Sequence, residues 1–370
     1  MPAQEGRARH GGKAEIPVFM NAITTTAVPL LICDDSNMAR KQLLRALPEQ
    51  WAVSVTQASN GREGLEAIRR GQGQVVLLDL TMPEMDGYEV LAALRAEGLR
   101  ARVIVVSGDV QDEAVRRVLS LGATAFLKKP ADPAELRKVL DRCGLLKAID
   151  QGPSPAHSSP IPTSLLAQPP RPPSDGRISF QDAFRETVNV AMGRAAALLA
   201  RVLGVFVQLP VPNVNILEVG ELHMALVDAQ SGDRLTAICQ GYIGGGIAGE
   251  ALLMFHDSDL SDMARLMQRP CRDDSNMEML LDLSSIIIGA CLSGIAEQID
   301  VVFSQSHPQI LGQHAVIDDL IKVNQARWKK TLAVEISYSL EGHDIHFDLL
   351  LLFTEDSLER LEGKLDYLMN

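Results

Sequence analysis

The sequence lacks the features of a disulfide-stabilised, zinc-bound or membrane-spanning protein. Its 370 residues include only five cysteines, which are scattered and form no Cys-x-x-Cys pair, so neither a disulfide framework nor a structural zinc site is expected. No run of eighteen or more apolar residues is present, so no transmembrane segment is expected. The first fourteen residues are polar and basic without an apolar centre, unlike a signal peptide. These absences predict a cytoplasmic protein with reduced thiols.

An excess of positive charge is also missing. Lysine and arginine number 35 against 47 aspartate and glutamate residues, which gives a formal net charge of -12. General nucleic-acid binders carry basic patches, so we expect no nucleic-acid partner. The length of the chain predicts two or three domains with more than one hydrophobic core.

Two segments have compositions that do not support a packed core. Residues 1–27 are expected to form a disordered leader, and translation could start at either Met1 or Met20. Residues 149–177 contain eight prolines among serine, glutamine and glycine, which predicts a semi-extended linker. The two remaining segments, residues 28–148 and 178–370, are therefore the predicted domains.

Residues 28–148 alternate apolar runs with amphipathic stretches, five of each. Such alternation predicts a parallel sheet with helices on both faces. The third apolar run, residues 75–78, has no polar position, as expected of a strand buried on both faces, and it ends at Asp79. Because ligands of open α/β sheets bind beyond the carboxyl ends of the strands, Asp79 lies where chemistry is expected.

Four more polar residues follow other predicted strands of this segment: Asp34, Asp35, Ser107 and Lys129. The three carboxylates would repel one another unless a hard cation neutralised them, and Mg²⁺ suits such an oxygen-rich site. A hydroxyl and an ammonium are the groups that bind the remaining oxygens of a phosphoryl group. A single aspartate after a strand is often only a helix cap, but that does not explain five polar residues at ordered strand ends. The pattern predicts that Asp79 is converted to an acyl phosphate.

This segment resembles the CheY-like response-regulator receiver family. The resemblance rests on Asp34-Asp35, on the run from Asp79 to Gly87, on Ser107-Gly108 and on Lys129-Pro130. It implies a flavodoxin-like (βα)5 fold with sheet order 2-1-3-4-5 and phosphorylation by a sensor histidine kinase. The roles that the resemblance implies are phosphoacceptor for Asp79, Mg²⁺ ligation by Asp35, Asp79 and the backbone carbonyl of Thr81 with Asp34 in the outer shell, and phosphate binding or switching by Ser107, Lys129 and Phe126.

Residues 178–370 combine long helices with strand-like runs, including one at residues 222–227, which predicts an α+β fold. The two long helices, at about residues 180–203 and 274–298, carry polar residues with one shared spacing. The shared positions are Asp182, Glu186, Asn189, Gly193 and Pro212 for the first helix, and Glu278, Asp282, Ser285, Gly289 and Pro308 for the second. In both copies the proline comes twenty-three residues after the third position, so the segment contains an internal repeat.

At about 100° per residue the polar positions of each helix form one narrow stripe. On the first helix the opposite side carries an apolar seam that includes Phe184, Val188 and Ala191. We therefore expect Glu186 and Asn189 to lie side by side and to face outward. A solvated polar face would explain either residue alone, but it does not explain the repeated spacing.

This segment resembles the CheC/CheX/FliY phosphatase family, which removes phosphate from phosphorylated CheY. The family motif is Asp or Ser, three residues, Glu, two residues, Asn, twenty-two residues and Pro, and it is met in full by Asp182, Glu186, Asn189 and Pro212. In the second copy Asp282 stands for the glutamate and Ser285 for the asparagine, so that site is degenerate. The resemblance implies a CheC-like domain with an internal pseudo-two-fold repeat, in which Glu186 and Asn189 are catalytic.

The predicted function is a two-component response regulator with an output domain that hydrolyses aspartyl phosphate. A neutral amide such as that of Asn189 can orient a water for in-line attack, and Glu186 can pair with the receiver lysine. The substrate is either phospho-Asp79 of the same chain or a separate phosphorylated CheY-like protein, and binding of a CheD-like protein is left open. The alternative is a non-catalytic, phosphorylation-dependent adaptor in chemotaxis or related signalling.

Overall fold

The structure is a computed structural model that describes residues 27–146, 178–218, 234–268, 273–315 and 330–369. The predicted linker, the strand predicted at residues 222–227 and all but the last residue of the predicted leader lie outside these ranges. We refer to residues 27–146 as the N-terminal domain and to the described residues from 178 onward as the C-terminal region.

The N-terminal domain is a five-stranded parallel sheet with the order β2-β1-β3-β4-β5, which confirms the predicted flavodoxin-like topology. A helix follows each strand, since parallel strands need a crossover connection. The strands are β1 (Val28–Cys33), β2 (Val53–Ala58), β3 (Val75–Leu78), β4 (Arg102–Ser107) and β5 (Ala125–Lys128). The helices are α1 (Asn37–Ala46), α2 (Gly61–Arg69), α3 (Gly87–Glu97), α4 (Asp112–Ser120) and α5 (Pro133–Arg142).

The packing of β3 explains why this strand has no polar position. Leu77 packs with side chains of α1 and α5 on one face of the sheet. Leu78 packs with side chains of α2 and α3 on the other face. Both faces are therefore buried, and the strand delivers Asp79 to the carboxyl edge of the sheet.

The C-terminal region is an antiparallel sheet packed with helices, and within the described residues the sheet has the strand order β10-β8-β9-β13-β12-β6. In addition, β11 pairs with β8, and β7 pairs with β12. The strands are β6 (Val207–Gln208), β7 (Asn213–Glu218), β8 (Leu235–Gly244), β9 (Ile247–His256), β10 (Ser304–Gln305), β11 (Gln309–Ala315), β12 (Lys330–Leu340) and β13 (His346–Phe353). The helices are α6 (Phe180–Leu203), α7 (Leu260–Leu266), α8 (Asp273–Gln298) and α9 (Glu355–Met369).

The two halves of this sheet have equivalent strand arrangements, in which β10, β8 and β9 correspond to β6, β12 and β13. Two short strands pair with one long strand on each side, β10 and β11 with β8, and β6 and β7 with β12. The central strands β9 and β13 pair with each other. Each half also has the same chain order, a long helix followed by two short strands and a long hairpin.

Helix α6 has one face in the core of the C-terminal region. Phe184, Val188 and Ala191 are fully buried in a cluster that also contains side chains of α8 and of the sheet. The helix begins after Ser179, whose hydroxyl accepts a hydrogen bond from the Asp182 N–H at 3.1 Å. It ends at Gly204, which has a φ of +70° and so adopts the left-handed conformation without strain. The opposite face of α6 is left for the contacts described below.

Residues 276–298 of α8 are long and apolar enough to cross a membrane by length and composition, and no other described helix meets that test. Of its apolar 18-residue window, 61% is buried inside the protein. Its buried side chains belong to the same core as those of α6 and the sheet. That packing accounts for its apolar composition as a core helix.

Candidate functional site at the carboxyl edge of the parallel sheet

Strand ends bring the predicted polar residues of the N-terminal domain into one pocket. Asp34 follows β1, Asp79 follows β3, Ser107 ends β4 and Lys129 follows β5. These four residues are no more than 3% exposed, and Asp35 is half-buried. The structure therefore places together residues that the sequence distributes over four strands.

The ammonium of Lys129 lies between two of the carboxylates. Its Nζ is 2.8 Å from Asp34 Oδ2 and 3.2 Å from Asp79 Oδ2. Burial alone would lower the pKa of Lys129, but the carboxylates of Asp34, Asp79 and Glu186 outweigh it and hold that pKa well above its usual range. Burial raises the pKa of Asp79 well above its ordinary value, and Lys129 opposes the shift. The pocket thus holds more acidic groups than the Lys129 ammonium neutralises.

The three acidic residues form a set of ligands suited to a metal ion. Oxygens of Asp34, Asp35 and Asp79 lie within 4.8 Å of one another. The single Lys129 ammonium pairs with one oxygen each of Asp34 and Asp79, and its one positive charge does not balance three carboxylates. Buried carboxylate oxygens in that state are stabilised by a cation, and an all-oxygen donor set fits a hard divalent one. Thr81 is half-buried in the loop after β3, and its carbonyl stays a predicted ligand.

Helix α6 of the C-terminal region lies over this pocket. Glu186 Oε1 is 3.1 Å from Lys129 Nζ. Glu186 and Asn189 are only 4% and 6% exposed, although the helical spacing predicts that both face outward. The difference arises because their side of α6, which faces away from the core residue Phe184, is covered by the N-terminal domain of the same chain.

The first turns of α6 also contact the N-terminal domain. The Met38 N–H donates to Asp182 Oδ2 at 2.9 Å. Met38 lies in the first turn of α1, where backbone N–H groups have no partner within the helix, so Asp182 supplies one. The guanidinium of Arg185 lies 3.5 Å from Asp35 Oδ2. Asp182, the first residue of the spaced motif, therefore helps to position α6 on the N-terminal domain.

Two glycines allow the backbones of the two parts to touch. A Cβ atom on Gly108, the residue after Ser107, would lie 3.0 Å from both the carbonyl oxygen of Asn189 and the Cα atom of Val190. A Cβ atom on Gly193 would overlap the carbonyl oxygen of Gly108. The glycine four residues after Asn189 thus lies where α6 meets the loop after β4, and a larger residue would move the helix away.

Two other predicted site residues, Ser107 and Phe126, lie on β4 and β5. The Ser107 hydroxyl accepts a hydrogen bond from the Asp109 N–H at 3.1 Å. Phe126 is half-buried on β5 and packs against the core formed with α2 and α3. Their roles as switch residues stay predictions.

The second set of spaced residues lies apart from the pocket. Glu278, Asp282 and Ser285 are exposed on α8. The Ser285 hydroxyl donates to the carbonyl oxygen of Leu281 in its own helix at 3.0 Å. The structure therefore brings the first set of the repeat to the acidic pocket and leaves the second set on the surface.

Several contacts between the two parts join residues that no sequence motif marks. Gln111, just before α4, binds the backbone of Val207, and Arg117 of α4 pairs with Glu341. The two members of the second pair are 224 residues apart in the chain. Glutamine and a surface arginine on a helix carry no motif, so local pattern offered no signal for them.

The pKa of Glu186 predicts that the contact between the two parts depends on pH. Burial raises this pKa from 4.5 to about 7, Lys129 opposes the shift, and Asp34 and Asp35 add to it. Since the carboxyl takes up a proton more readily when α6 is docked, docking is strongest below about pH 4.5. It weakens as the pH rises through about 7, by up to about tenfold per pH unit in that window.

Amide hydrogen exchange of Met38 and Val207 in metal-free buffer measures this effect, because both N–H groups donate across the contact. Protection factors corrected for the intrinsic pH dependence are expected to fall between about pH 4.5 and 7 and to level off above that range. Glu186→Gln cannot ionise and should show a flatter profile. Equal profiles for the two proteins would contradict the prediction.

The sheet order 2-1-3-4-5 with an acidic cluster at its carboxyl edge defines a flavodoxin-like α/β domain. Residues 30–141 match the family model of the response regulator receiver domain. The chemotaxis protein CheY of Listeria monocytogenes is 33% identical over 113 residues, which cover 30% of this chain and 95% of that protein. The chain belongs to the response-regulator receiver family of two-component signalling, and the N-terminal domain is its receiver domain.

Two other similar proteins differ in how much of each chain is matched. The nitrate/nitrite response regulator NarL of Escherichia coli is 38% identical over 114 residues, which cover 30% of this chain and 52% of NarL. The chain thus spans about half the length of that relative. The crystal structure of Thermotoga maritima FliY covers 51% of this chain and 96% of FliY at 17% identity, with a TM-score of 0.40.

Proposed function

We propose that this response regulator is phosphorylated on Asp79 and that its C-terminal region is a CheC-like domain that hydrolyses receiver aspartyl phosphate. The observation that carries the proposal is the position of α6, which places Glu186 3.1 Å from Lys129 in the acidic pocket of the same chain. Phospho-Asp79 of the same chain is therefore the first candidate substrate. A separate phosphorylated CheY-like protein is the second.

The receiver pocket has the groups that formation of an acyl phosphate requires. Asp35, Asp79 and the carbonyl of Thr81 are the proposed ligands of Mg²⁺, with Asp34 in the outer shell, and the bound ion would neutralise carboxylate and phosphoryl charge. Lys129 and Ser107 offer an ammonium and a hydroxyl to the phosphoryl oxygens. A sensor histidine kinase is the proposed phosphodonor, and the proposal places the protein in the cytoplasm.

Hydrolysis of this acyl phosphate requires one aligned water. The water oxygen bonds to phosphorus, the bond between phosphorus and the Asp79 carboxylate oxygen breaks, and inorganic phosphate leaves with both hydrogens of the water. The carboxamide of Asn189 is proposed to hold that water in line with the breaking bond, a task for which positioning alone contributes on the order of 100-fold or more. Glu186 helps to position α6 through its contact with the Lys129 ammonium at 3.1 Å.

A docked α6 has to leave room for solvent, because Asp79 is only 1% exposed. A cavity of about 220 Å³ lies beside the helix and is lined in part by Pro130, Glu186, Val190 and Arg194. It joins the polar face of α6 to the receiver next to Lys129. Solvent can therefore lie beside Glu186 while α6 is docked, and the attacking water has to pass from there to Asp79.

The arrangement of the C-terminal sheet supports the proposed CheC-like repeat. The two halves of the sheet have equivalent strand orders, and each half begins with one of the two long helices. The second half lacks the glutamate and the asparagine of the motif, since Asp282 and Ser285 occupy those positions. A serine hydroxyl bonded to its own helix has neither the reach nor the amide of asparagine. We therefore assign hydrolysis to the first half alone.

Phosphorylation of the full chain with a small phosphodonor and Mg²⁺ tests the first part of the proposal. Asp79→Asn is expected to abolish incorporation, because an amide cannot form the acyl phosphate. The exposed Asp112 in the first turn of α4 gives a matched control, and Asp112→Asn should be labelled like the unchanged protein. Labelling that survives in Asp79→Asn would place the phosphate elsewhere.

Release of inorganic phosphate from the labelled chain separates an enzyme from an adaptor. A phosphatase predicts that the rate of release depends on Asn189, for phospho-Asp79 or for an added phosphorylated receiver. An adaptor predicts that, for each substrate, phosphate is released at the same rate whether or not the Asn189 amide is present. The second result would overturn the proposed activity and leave the receiver assignment intact.

A further inference from the structure

A group of contacts joins the receiver to the C-terminal region on the α4 side, outside the phosphorylation pocket. It connects Gln111 and Arg117 of the receiver to β6, to the residue before it and to the residue after β12. Neither Gln111 nor Arg117 is among the residues on which the receiver resemblance rests. These contacts therefore belong to this chain and are not part of the general receiver motif.

Gln111 pairs with a backbone segment as a neighbouring strand would. Its Nε2 donates to the carbonyl oxygen of Val207 at 2.7 Å, and its Oε1 accepts from the N–H of Val207 at 3.0 Å. Gln111 is 2% exposed and Val207 is fully buried. Both polar groups of Val207 are thus satisfied by a single side chain from the other part, and loss of that side chain would leave them unpaired in a buried place.

Arg117 makes two different contacts at the edge of the same interface. Its guanidinium donates to both carboxylate oxygens of Glu341, at 2.9 Å and 2.7 Å. The guanidinium carbon also lies 4.6 Å from the centre of the Phe206 ring, which is within cation–π range. A bidentate pair of this kind has a defined geometry and therefore adds selectivity as well as attraction.

We infer that the C-terminal region selects the receiver of its own chain through Gln111–Val207 and Arg117–Glu341. The inference rests on the proposed function, since it names the partner of the same catalytic face. Glu186 contacts Lys129, a residue of the receiver motif, and such a contact cannot distinguish one receiver from another. The contacts on the α4 side can, because like charges or unpaired amide groups there would oppose a wrong receiver.

Charge reversal in the full chain tests the Arg117–Glu341 pair through the half-life of phospho-Asp79. Arg117→Glu and Glu341→Arg should each lengthen the half-life about tenfold, because each puts like charges face to face. The double variant restores an opposite pair and should return to within about threefold of the unchanged protein. Gln111→Glu keeps the shape but turns a carboxylate oxygen toward the Val207 carbonyl, and should also lengthen the half-life about tenfold.

Lys138→Glu is the matched control, because Lys138 is exposed on α5 of the receiver and pairs within its own helix, with Glu135 at 2.6 Å. It changes the net charge equally and should leave the half-life unchanged. Half-lives of Arg117→Glu and of the unchanged protein that agree, or a double variant no faster than the single ones, would overturn the inference. The proposed function would survive that result if Asn189→Ala still lengthens the half-life.

Dilution tests whether the selected receiver is the one in the same chain. The half-life of phospho-Asp79 in the unchanged protein should stay constant over about a 100-fold range of protein concentration, since a tethered reaction is intramolecular. A half-life that lengthens in proportion to dilution would show reaction between chains and would overturn the inference. Loss of the Asn189 effect at every concentration would instead overturn the proposed function.

Discussion

Replacing Asn189 by alanine is expected to lengthen the half-life of phospho-Asp79 about 100-fold. The acyl phosphate should then decay at the rate expected when no water is aligned for attack. The substitution removes the carboxamide from the middle of the docked face of α6, between Glu186 and Gly193. It leaves the pair of Glu186 and Lys129 in place, so α6 should stay docked. The decay of phosphate after removal of a small phosphodonor measures the effect.

A second asparagine in the C-terminal region provides the control for this measurement. Asn215 is exposed on β7, which pairs with β12, and Asn215→Ala should decay like the unchanged protein. Hydrogen exchange of the Met38 amide, which donates to Asp182, should remain slow in Asn189→Ala. An unchanged half-life together with slow exchange would show that the docked amide is not catalytic.

Gly193→Ala should lengthen the same half-life by about the same factor, but by separating the two parts of the chain. A methyl group here would overlap the carbonyl oxygen of Gly108, and a backbone atom cannot rotate away. The helix has to shift, and a misplacement of about 1 Å costs on the order of 100-fold in a positioned reaction. Helix propensity acts in the opposite direction, since alanine favours a helix interior by about 1 kcal/mol over glycine.

The repeat supplies a matched control for this substitution. Gly289 holds the same place on α8, where the nearest atom to an added Cβ is Gln305 Oε1 at 3.7 Å, an ordinary contact. Gly289→Ala should therefore leave the half-life unchanged. Fast exchange of the Met38 amide in Gly193→Ala, but not in Gly289→Ala or Asn189→Ala, would identify undocking as the cause. Slow exchange with a normal half-life in Gly193→Ala would contradict the contact.

The receiver fold follows from the sequence because its strands and crossovers are regular and local. An all-apolar run such as Val75–Leu78 predicts a strand covered on both faces, and the structure has helices on both faces. The residue after such a strand has to lie at the carboxyl edge, so the cluster of Asp34 and Asp79 could be predicted from chain order. The strand order then followed from the resemblance carried by those same residues.

The C-terminal sheet was predicted less completely. The long strands β12 and β13 stand out as apolar runs, whereas β7 and β11 do not. Among the residues that the structure describes, each of these two strands pairs along one side, β7 with β12 and β11 with β8, and an edge strand needs less apolar surface. Its composition therefore resembles that of a loop, and its pairing becomes visible only in the sheet.

Residue spacing predicted the polar stripe of α6, but it did not predict that the receiver covers this stripe. The order Asp182, Glu186, Asn189 places three side chains on one face of any helix. Whether that face meets solvent, a separate protein or the receiver of the same chain depends on contacts such as Arg117–Glu341, between residues 224 positions apart. No periodic pattern links residues at that distance, so the docked arrangement required the tertiary structure.

The sequence by itself determined the receiver topology, the acidic pocket and the presence of two similarly spaced helices, because strand alternation and helical spacing act over a few residues. Only the tertiary structure decided which helix meets the pocket, that Gly193 touches Gly108, and that Glu186 is buried against Lys129. The physical reason is that domain docking depends on complementary surfaces, and their shape and charge arise only after each part has folded.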